Sequence, residues 1–430
     1  MEIYSIPFED QFIVYRPLLR LAFVGNSAMA EYALADRSAR PRRPASAADK
    51  FLRKIGFDSA DPEPPSPWVP SNEHRPTTAV LLMTSACNLR CSYCYARAGE
   101  HTRQDMNENL ARKVVDTCYE NAKSLGRDRF ELAFHGGGEP TVNWKVLRST
   151  VDYARGKDLP CEITMATNGM WSERRRQFIL ENFTGLSLSL DGVREVQDAQ
   201  RPMTDGRGSF DKVMGAVHAL DEAGLPYGIR MTATTESFAR LPESMEFLCS
   251  ETNCQVFQVE PCYTSSRGEY GDLTASEANS FVRGFLEAFQ LTAAAGRTLF
   301  YSGARPWVLA SSFCRAPEDA LVVTPEGDVV TCFETHDRRH PLTESFRIGS
   351  ATPTEVRIDP AALRKFADGQ NARRAKCQGC FCYRHCGGDC ALRCASTLDT
   401  DRTRCWINRE ITRELLAWYI AAGDGVWNGA

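Results

Sequence analysis

The stretch SACNLRCSYCYA, residues 85–96, decides how the rest of the chain is interpreted, because it places cysteines at positions 87, 91 and 94. A structural zinc site uses four ligands, usually as two close pairs, whereas C-x3-C-x2-C closes one tight loop with three thiols. Three thiolates can hold three irons of a [4Fe–4S] cubane and leave the fourth iron open to a ligand that is not protein. Cys87, Cys91 and Cys94 are therefore candidate metal ligands, with a zinc site or a chance group of thiols as the alternative.

The composition of the 430 residues, 43% hydrophobic and 25% charged, is that of a globular protein with room for two or three domains. A net charge of −4 offers no field for nucleic acid, and no apolar run approaches the roughly 20 residues of a membrane span. The N-terminal MEIYSIPFEDQF has no basic lead-in, so we expect no signal peptide and a cytoplasmic location. Seventeen cysteines in a reducing compartment indicate metal binding rather than disulfides.

Composition predicts four segments. Residues 1–60 form a small α+β module, with strands at FIVYRPLL and RLAFVG and helices near SAMAEYALAD and AADKFLRKIGF. Residues 61–76 contain six prolines and predict a stiff linker. Residues 77–300 and 301–430 make up the remaining two segments.

A repeated pattern of a short apolar run followed by an amphipathic helix fills residues 77–300. The runs are TAVLLMT, RFELAFH, EITMAT, GLSLSL, YGIRMTAT and CQVFQVEP. One helix, SFDKVMGAVHALDEAG, places Phe210, Val213, Met214, Val217 and Leu220 on one face, with Ser209 expected to cap it. Six such units predict an α/β fold, a partial (β/α)6 barrel whose chemistry lies on the loops after the strands.

Polar residues follow four of the predicted strands. HGGGEP, residues 135–140, combines glycines that let backbone approach a ligand with the Glu139 carboxylate, which suits an ammonium group. ATNG places Asn168 at the same edge, and SLDG followed by QRP adds Ser189, Asp191 and Arg201. For Asp191 a turn-forming role is at least as well supported.

Taken together, these loops resemble the signature of the radical SAM enzymes, in which an aromatic residue, here Tyr93, precedes the last cysteine. The resemblance implies that the open iron chelates the amino and carboxylate groups of S-adenosylmethionine (SAM). It also implies that Gly137, Gly138 and Glu139 hold the SAM amino group, while Ser189 and Arg201 contact its ribose and carboxylate. Reductive cleavage of SAM would then start hydrogen abstraction from an unactivated C–H bond of a substrate.

The cysteines of residues 301–430 resemble the SPASM pattern, a domain that binds two auxiliary [4Fe–4S] clusters. The resemblance assigns Cys377, Cys380, Cys386 and Cys405 to an outer cluster and Cys314, Cys332 and Cys390 to an inner one. A zinc ribbon remains an alternative for the C-x2-C portion alone. The fourth ligand of the inner cluster is either Cys262, Cys382 or Cys394, or an atom of the substrate, because Ala320 stands where some relatives have a cysteine.

Proteins with both regions mostly modify peptides, so the resemblance implies a maturase that cross-links a ribosomally made precursor peptide through a thioether or carbon–carbon bond. The module at residues 1–60 would capture the leader segment of the precursor, with the basic stretch from Arg37 to Lys54 facing an acidic leader, or it is only a packing extension. A flavodoxin or ferredoxin would supply electrons. We expect neither nucleic acid nor membrane as a partner.

Three other activities stay open. An anaerobic sulfatase-type maturase, which makes formylglycine, typically has an Asp base directly after the inner-cluster cysteine, whereas Cys332 is followed by Phe333 and Glu334, so Glu334 is the candidate base. A peptide epimerase would use the same cofactors. A plain iron–sulfur electron carrier would leave the SAM-contacting residues without a role.

Overall fold

The computed structural model describes residues 1–35, 46–71, 73–394 and 402–429. Its strands are β1 Tyr4–Phe8, β2 Gln11–Arg16, β3 Leu21–Gly25, β4 Thr78–Leu82, β5 Phe130–His135, β6 Cys161–Thr167, β7 Gly185–Ser189, β8 Tyr227–Ala233, β9 Val256–Pro261, β10 Thr264–Ser266, β11 Glu269–Tyr270, β12 Thr298–Phe300, β13 Ala320–Val323, β14 Asp328–Val330, β15 Arg347–Ala351, β16 Val356–Ile358 and β17 Val426–Trp427.

Fourteen α-helices accompany these strands in the described ranges. They are α1 Ser27–Leu34, α2 Ala47–Lys54, α3 Glu108–Ser124, α4 Trp144–Arg155, α5 Glu173–Asn182, α6 Arg194–Gln200, α7 Phe210–Ala223, α8 Leu241–Glu251, α9 Ala275–Ala294, α10 Ala316–Asp319, α11 Thr343–Phe346, α12 Pro360–Ala375, α13 Tyr383–Cys386 and α14 Thr403–Ala422. Within the part of the chain that the structure describes, no helix is both long and apolar enough to cross a membrane.

The chain divides into two units. The first combines Met1–Trp68, Tyr301–Phe313 and Gln370–Ala430, and the second combines Val69–Phe300 and Cys314–Gly369. Each unit therefore contains stretches that are far apart in the sequence.

The second unit is organised around an eleven-stranded sheet in the order β12-β9-β8-β7-β6-β5-β4-β13-β14-β15-β16. Strands β4 to β9 are the six predicted apolar runs, and each pairs in parallel with its neighbour in the sequence. Helices connect them, as parallel pairing requires. The predicted α/β fold with a parallel partial barrel is confirmed, and the loops after these strands meet at the carboxyl edge of the sheet.

Short strands that the sequence did not predict extend the sheet on both sides. β12 adds to β9 in parallel. β13 pairs in parallel with β4, with Val322 opposite Val80, and β14, β15 and β16 continue antiparallel. Val80, Leu82, Val322 and Val330 are buried together at this junction, so apolar packing joins the added strands to the barrel.

Helix α7 matches its prediction in all but its cap. The five predicted apolar residues are buried. Ser209 stands at the N-cap position but makes no capping bond, so that expectation was wrong. Its hydroxyl instead donates to the Arg201 carbonyl oxygen at 2.7 Å and accepts from Gln197 at 3.0 Å, because these buried groups offer it stronger partners than the helix end.

The first unit contains a four-stranded antiparallel sheet in the order β1-β2-β3-β17. The predicted strands are β2 and β3, the predicted helices are α1 and α2, and β17 from the other end of the sequence completes the sheet. Ile13 and Tyr15 pack with Leu416 and Ile420 of α14, so the N-terminal strands share a core with the C-terminal helix. Residues 37–45 of the predicted basic stretch lie outside the described residues. Residues 61–71 and 73–76 form neither helix nor strand.

Candidate functional site

The loop after β4, residues 85–96 or the three-thiol loop, carries Cys87, Cys91 and Cys94. The Leu89 N–H donates to the Cys87 sulfur at 3.4 Å, and the Cys94 N–H donates to the Cys91 carbonyl oxygen at 3.2 Å. The Arg90 guanidinium donates to the Cys87 carbonyl oxygen at 2.9 Å. Backbone and side-chain hydrogen bonds therefore fix the turn that brings the three thiols together.

Arg267 forms hydrogen bonds and an ion pair with residues in and just after the three-thiol loop. The sequence analysis did not single it out. Its guanidinium donates to the carbonyl oxygens of Cys91 and, at 3.1 Å, Ala98, and it forms an ion pair with Glu100. Arg267 lies in a loop without a recognisable motif, so nothing in the sequence signals this contact.

The three thiols are mostly buried and influence one another. Burial, and then the neighbouring Cys91, raise the pKa of Cys87 to about 12, and burial raises the pKa of Cys91 to about 11 while Arg201 opposes the rise. Among the described residues, no three Cys, His, Asp or Glu side chains lie as close together as a single metal ion requires. A cubane needs wider spacing, because each thiolate binds a different iron.

The Gly-Gly-Glu loop, residues 136–139 after β5, lies directly against the residues before Cys87. The Gly138 N–H donates to the Thr84 carbonyl oxygen and the Glu139 N–H to that of Ala86, both at 2.9 Å. A Cβ atom on Gly138 would stand 2.1 Å from the Ala86 oxygen, and one on Gly137 would stand 2.2 Å from the His336 ring. Both positions therefore require glycine, which leaves backbone exposed where a side chain would otherwise stand.

Glu139 is a buried carboxylate, 2% exposed, surrounded by donors. Its Oε1 accepts from the Thr141 hydroxyl at 2.7 Å and from the Thr167 hydroxyl at 2.9 Å. Its Oε2 accepts from the Asn168 N–H at 2.8 Å, which leaves acceptor capacity on that oxygen. Burial raises the pKa of Glu139, so a cationic group is the partner that would favour its charged form.

Asn168, which follows β6, connects the two loops. Its side-chain amide donates to the Asn88 side-chain oxygen at 2.8 Å and lies 3.7 Å from the Cys87 sulfur. The structure therefore brings Asn168, Glu139 and Cys87 into one continuous site.

Asp191 is the hydrogen-bonding centre of the loops after β7. Its buried carboxylate accepts from the Tyr93 hydroxyl at 2.6 Å and from both sides of the Arg201 guanidinium at 2.8 and 3.0 Å. The Thr232 N–H donates to it at 2.9 Å. Asp191 thus orients Tyr93 and Arg201, a larger role than the turn suggested by its sequence context, and Ser189 ends β7 beside it.

The residues after Cys332 approach the Gly-Gly-Glu loop from β14. The Phe333 ring stacks on His135 at 4.7 Å between centroids, and the His336 ring packs against Tyr95 at 5.9 Å. His336 Nδ1–H donates to the Glu334 carbonyl oxygen at 2.9 Å. His336 and Phe333 therefore form one wall of the site, and the sequence analysis missed His336.

In the first unit, the cysteines of the outer set lie near one another and against α14. The Asn408 side-chain amide donates to the Cys386 sulfur at 3.6 Å, and Cys405 lies in the first turn of α14. Burial raises the pKa values of Cys377 and Cys405, and neighbouring thiols add to the rise, Cys380 for Cys377 and Cys377 for Cys405. A buried ion pair, Arg404 to Asp389 at 2.7 Å, joins α14 to the cysteine-bearing loop.

Two further cysteines of the first unit accompany this set. Cys382 is buried, and its hydrogen bond with Cys380 lowers the pKa of Cys380. The Cys394 N–H donates to the Cys390 carbonyl oxygen at 3.0 Å. Of the predicted inner set, Cys390 belongs to the first unit, whereas Cys314 and Cys332 belong to the second.

Three features fit an iron–sulfur cluster with SAM beside it: the partial barrel, the three-thiol loop and the Gly-Gly-Glu loop. Together they are typical of a radical SAM core. Residues 81–248 match the Radical SAM superfamily. The resemblance stated from the motifs is confirmed, and these residues form a radical SAM domain.

Three relatives indicate the range of proteins that share this domain. The chain is 30% identical to Fe-coproporphyrin III synthase of Methanosarcina barkeri over 44% of each chain. It is 28% identical to the serine-type anaerobic sulfatase-maturating enzyme of Bacteroides thetaiotaomicron, covering 41% of this chain and 44% of that one. It is 22% identical to the sporulation killing factor maturation protein SkfB of Bacillus subtilis over 46% of each. The chain spans about half the length of the curated relatives it matches.

Two solved structures share the fold over most of the chain. Native anSMEcpe with bound AdoMet and Cp18Cys peptide aligns with a TM-score of 0.63 at 18% identity, covering 81% of this chain and 99% of the other. Streptococcus suis SuiB bound to S-adenosylmethionine aligns with a TM-score of 0.55 at 13% identity, covering 94% and 96%. The similarity of fold therefore extends well beyond the radical SAM domain.

Proposed function

We propose that this protein is a radical SAM maturase that abstracts a hydrogen from a ribosomally made precursor peptide and installs a thioether or carbon–carbon cross-link. The observation that carries the proposal is the contact between the three-thiol loop and the Gly-Gly-Glu loop, made by the Glu139 N–H and the Ala86 carbonyl oxygen at 2.9 Å. This contact brings the three thiols of residues 87–94 next to the loop that carries the buried Glu139 carboxylate, which supports the proposal.

Cys87, Cys91 and Cys94 would hold a [4Fe–4S] cluster, which with SAM supplies one-electron chemistry and a strong hydrogen-abstracting group. Glu139 Oε2 would accept a hydrogen bond from the SAM ammonium, and Gly137 and Gly138 would let SAM approach the backbone. Arg201 offers positive charge to the carboxylate of SAM, with Asp191 fixing its orientation through two hydrogen bonds.

Two auxiliary [4Fe–4S] clusters complete the proposed set of three. Cys377, Cys380, Cys386 and Cys405 would hold the outer one, and Cys314, Cys332 and Cys390 would contribute to the inner one. A cross-link is a net two-electron oxidation of the peptide, so an electron must leave the substrate after hydrogen abstraction. The outer cluster is the proposed exit, and Glu334 is the proposed base for the accompanying proton.

The peptide substrate is supported by the names of the relatives and by the sheet of the first unit. SkfB is a maturation protein, and anSMEcpe was solved with a peptide. The two edge strands of that sheet are β1 and β17, and β17 has only two residues. β1 therefore offers the longer edge among the described strands, and an extended leader would add there. Pro7 in β1 offers no N–H, which places the bonding on Tyr4 to Ile6.

The experiment is anaerobic incubation of the reconstituted protein with SAM, dithionite and the short peptide encoded beside its gene, followed by high-resolution mass spectrometry. Loss of two hydrogens per event, with fragmentation blocked across a few residues, would support the cross-linking function. Unchanged mass with deuterium gained from solvent would identify an epimerase instead. 5′-Deoxyadenosine without any change in the peptide would mean a different substrate, and failure to bind SAM would favour an electron carrier.

A sulfatase-type maturase is the second candidate, because sulfatase-maturating enzymes are among the relatives and anSMEcpe shares the fold. Phe333 stands where that activity would place a base, and its ring is stacked on His135. The proton would have to pass to Glu334. A hydrazide probe added after incubation with a sulfatase-derived peptide would capture a formylglycine aldehyde, and its capture would favour this candidate over a cross-linking maturase.

A further inference from the structure

A cleft of about 730 Å³ opens in the second unit at the N-terminal ends of α4 and α5. We call it the basic cleft; its charged lining residues are Arg112, Lys145, Arg148, Asp152, Arg174 and Arg175. Five of these side chains are cationic and one is anionic, in a chain whose net charge is −4. Glu108 pairs with Arg112 at 2.6 Å and Asp152 lies 3.8 Å from Arg148, while Lys145, Arg174 and Arg175 add further positive charge. The cleft therefore keeps a net positive charge, in contrast to the negative total of the chain, and it attracts anionic partners.

Aromatic rings hold the cations of the basic cleft in place. The Arg175 guanidinium lies 5.3 Å from the Trp144 ring centroid, and that of Arg112 lies 5.0 Å from the Tyr153 centroid. Arg148 lies 5.5 Å from the Phe178 ring. Arginine, tryptophan and tyrosine are the residues that dominate binding energy at protein interfaces, and stacked guanidinium groups lose little further entropy on binding.

A chain of short contacts connects the basic cleft to the three-thiol loop. Arg175 donates to the Thr141 carbonyl oxygen at 3.0 Å, and the Thr141 hydroxyl donates to Glu139 at 2.7 Å. Glu139 accepts from the Asn168 N–H at 2.8 Å, and the Asn168 side chain lies 3.7 Å from the Cys87 sulfur. Only three residues thus separate the wall of the cleft from a proposed ligand of the cluster.

We propose that the basic cleft is the docking surface for an acidic protein that donates single electrons. The inference rests on the proposed function, since it concerns the centre held by Cys87, Cys91 and Cys94. In the step, the donor loses one electron and the iron–sulfur centre gains it, with no bond made or broken. Carboxylates around the donor's redox group pair with Arg148 and Arg174, which steers the encounter and brings that group to the short path ending at Cys87.

An acidic leader peptide would also be attracted by these charges. A leader peptide gains nothing from binding near Cys87, because it only has to be held. An electron donor must bind close to the proposed cluster, and the short series of contacts from Arg175 to Cys87 meets that need. The observations therefore favour the donor, and the peptide becomes an outcome of the test.

The test compares the double variant Arg148→Glu/Arg174→Glu and each of its single variants with Arg283→Glu, a single charge reversal at an exposed position of α9 outside the cleft. Binding of a reduced bacterial flavodoxin to each full-length, reconstituted protein is measured by titration calorimetry at about 50 mM and about 300 mM salt. The rate of SAM cleavage is then measured twice, once with flavodoxin and once with dithionite, a small reductant that needs no docking surface.

We expect the double variant to bind flavodoxin at least about tenfold more weakly at low salt, and to lose flavodoxin-driven SAM cleavage by a similar factor. Its dithionite-driven rate should stay unchanged, and Arg283→Glu should match the unaltered protein in every assay. Equal binding by the double variant, equal losses in the double variant and Arg283→Glu, or weakened binding of an acidic leader peptide in place of flavodoxin would each overturn the proposal. Absence of dithionite-driven cleavage in the unaltered protein would instead refute the proposed function, while the binding measurement still reports on docking.

Discussion

The two cysteine-rich regions of the molecule are built in different ways. The three-thiol loop takes all its thiols from residues 87 to 94, and local backbone hydrogen bonds shape it. The outer set takes three thiols from residues 377 to 386 and the fourth from α14, which a buried ion pair and the Asn408 side chain hold in position. The first region is a local motif with outside support, whereas the second exists only when distant elements have assembled.

This difference predicts that damage to the two regions has different consequences. Loss of a thiol from the three-thiol loop should remove one cluster and the chemistry that depends on it. Loss of a contact around the outer set should weaken the fold of the first unit as well, because the same helix contributes a thiol and packs against the N-terminal sheet.

The largest expected effect is that of removing thiols. Cys94→Ala should abolish SAM cleavage, because two thiolates do not retain the cubane, whereas Cys386→Ala should leave SAM cleavage largely intact and end peptide modification. The measurements are 5′-deoxyadenosine formation, iron content and peptide mass. Cys249→Ala, a change outside both sets, is the control and should behave like the unaltered protein. SAM cleavage that survives Cys94→Ala would show that the central assignment is incorrect.

The buried ion pair of the outer set should come next. Asp389→Asn keeps the shape and tolerates the positive φ of 61° at this position, but it removes the negative charge from the buried ion pair with Arg404. We expect the free energy of unfolding to fall by about 3 kcal/mol. Thermal unfolding of the reconstituted protein provides the measurement. Asp205→Asn breaks an exposed pair with Arg207 and should leave the melting temperature unchanged, so equal shifts in both variants would contradict the difference between the regions.

Contact between the two loops of the proposed SAM site can be tested at Gly138. In Gly138→Ala, the new Cβ would stand 2.1 Å from the Ala86 oxygen, so one loop must move away from the other. A displacement of this size should lower the rate of SAM cleavage by about 10- to 100-fold. Gly215→Ala in α7 is the control, because no atom lies within 4 Å of its Cβ position. A normal rate for Gly138→Ala would mean that close contact between the Gly-Gly-Glu loop and the three-thiol loop is not needed for SAM cleavage.

The smallest expected effect belongs to Arg267. Arg267→Met removes the hydrogen bonds to Cys91 and Ala98 while keeping most of the side-chain volume. Because the rest of the loop remains braced from within, we expect a three- to tenfold slower SAM cleavage, equivalent to about 1 kcal/mol. The iron content should stay normal, and Arg127→Met, at an exposed position, should have no effect. Loss of the cluster in Arg267→Met would show that the hydrogen bonds within the three-thiol loop do not hold its conformation without Arg267.

The sequence predicted the parts of the molecule that repeat or that sit in short motifs. Six apolar runs gave β4 to β9, and the loops around Glu139 and Asn168 lie together as expected for the carboxyl edge of a parallel sheet. Both results follow from local patterns, since strand periodicity and βα connectivity are determined over a few residues.

The parts that escaped prediction depend on partners far away in the sequence. β14 and β17 contain three and two residues, too few for a period to show. Ser209 has the residue type of a cap, but the Arg201 carbonyl oxygen and Gln197 supply competing partners. Asp191 acquires its role only because Tyr93 and Arg201 converge on it from separate loops.

The pairing of β17 with β3, in which Val426 lies opposite Phe23, also affects how the chain matures during its own synthesis. β1, β2 and β3 leave the ribosome before β17, so β3 keeps an unpaired edge until residues 426 and 427 emerge. Closing so long a loop is slow compared with pairing of neighbouring strands. β1 to β3 are thus translated well before the strand that completes their sheet, and nascent chains that stall before α14 should be especially prone to aggregation.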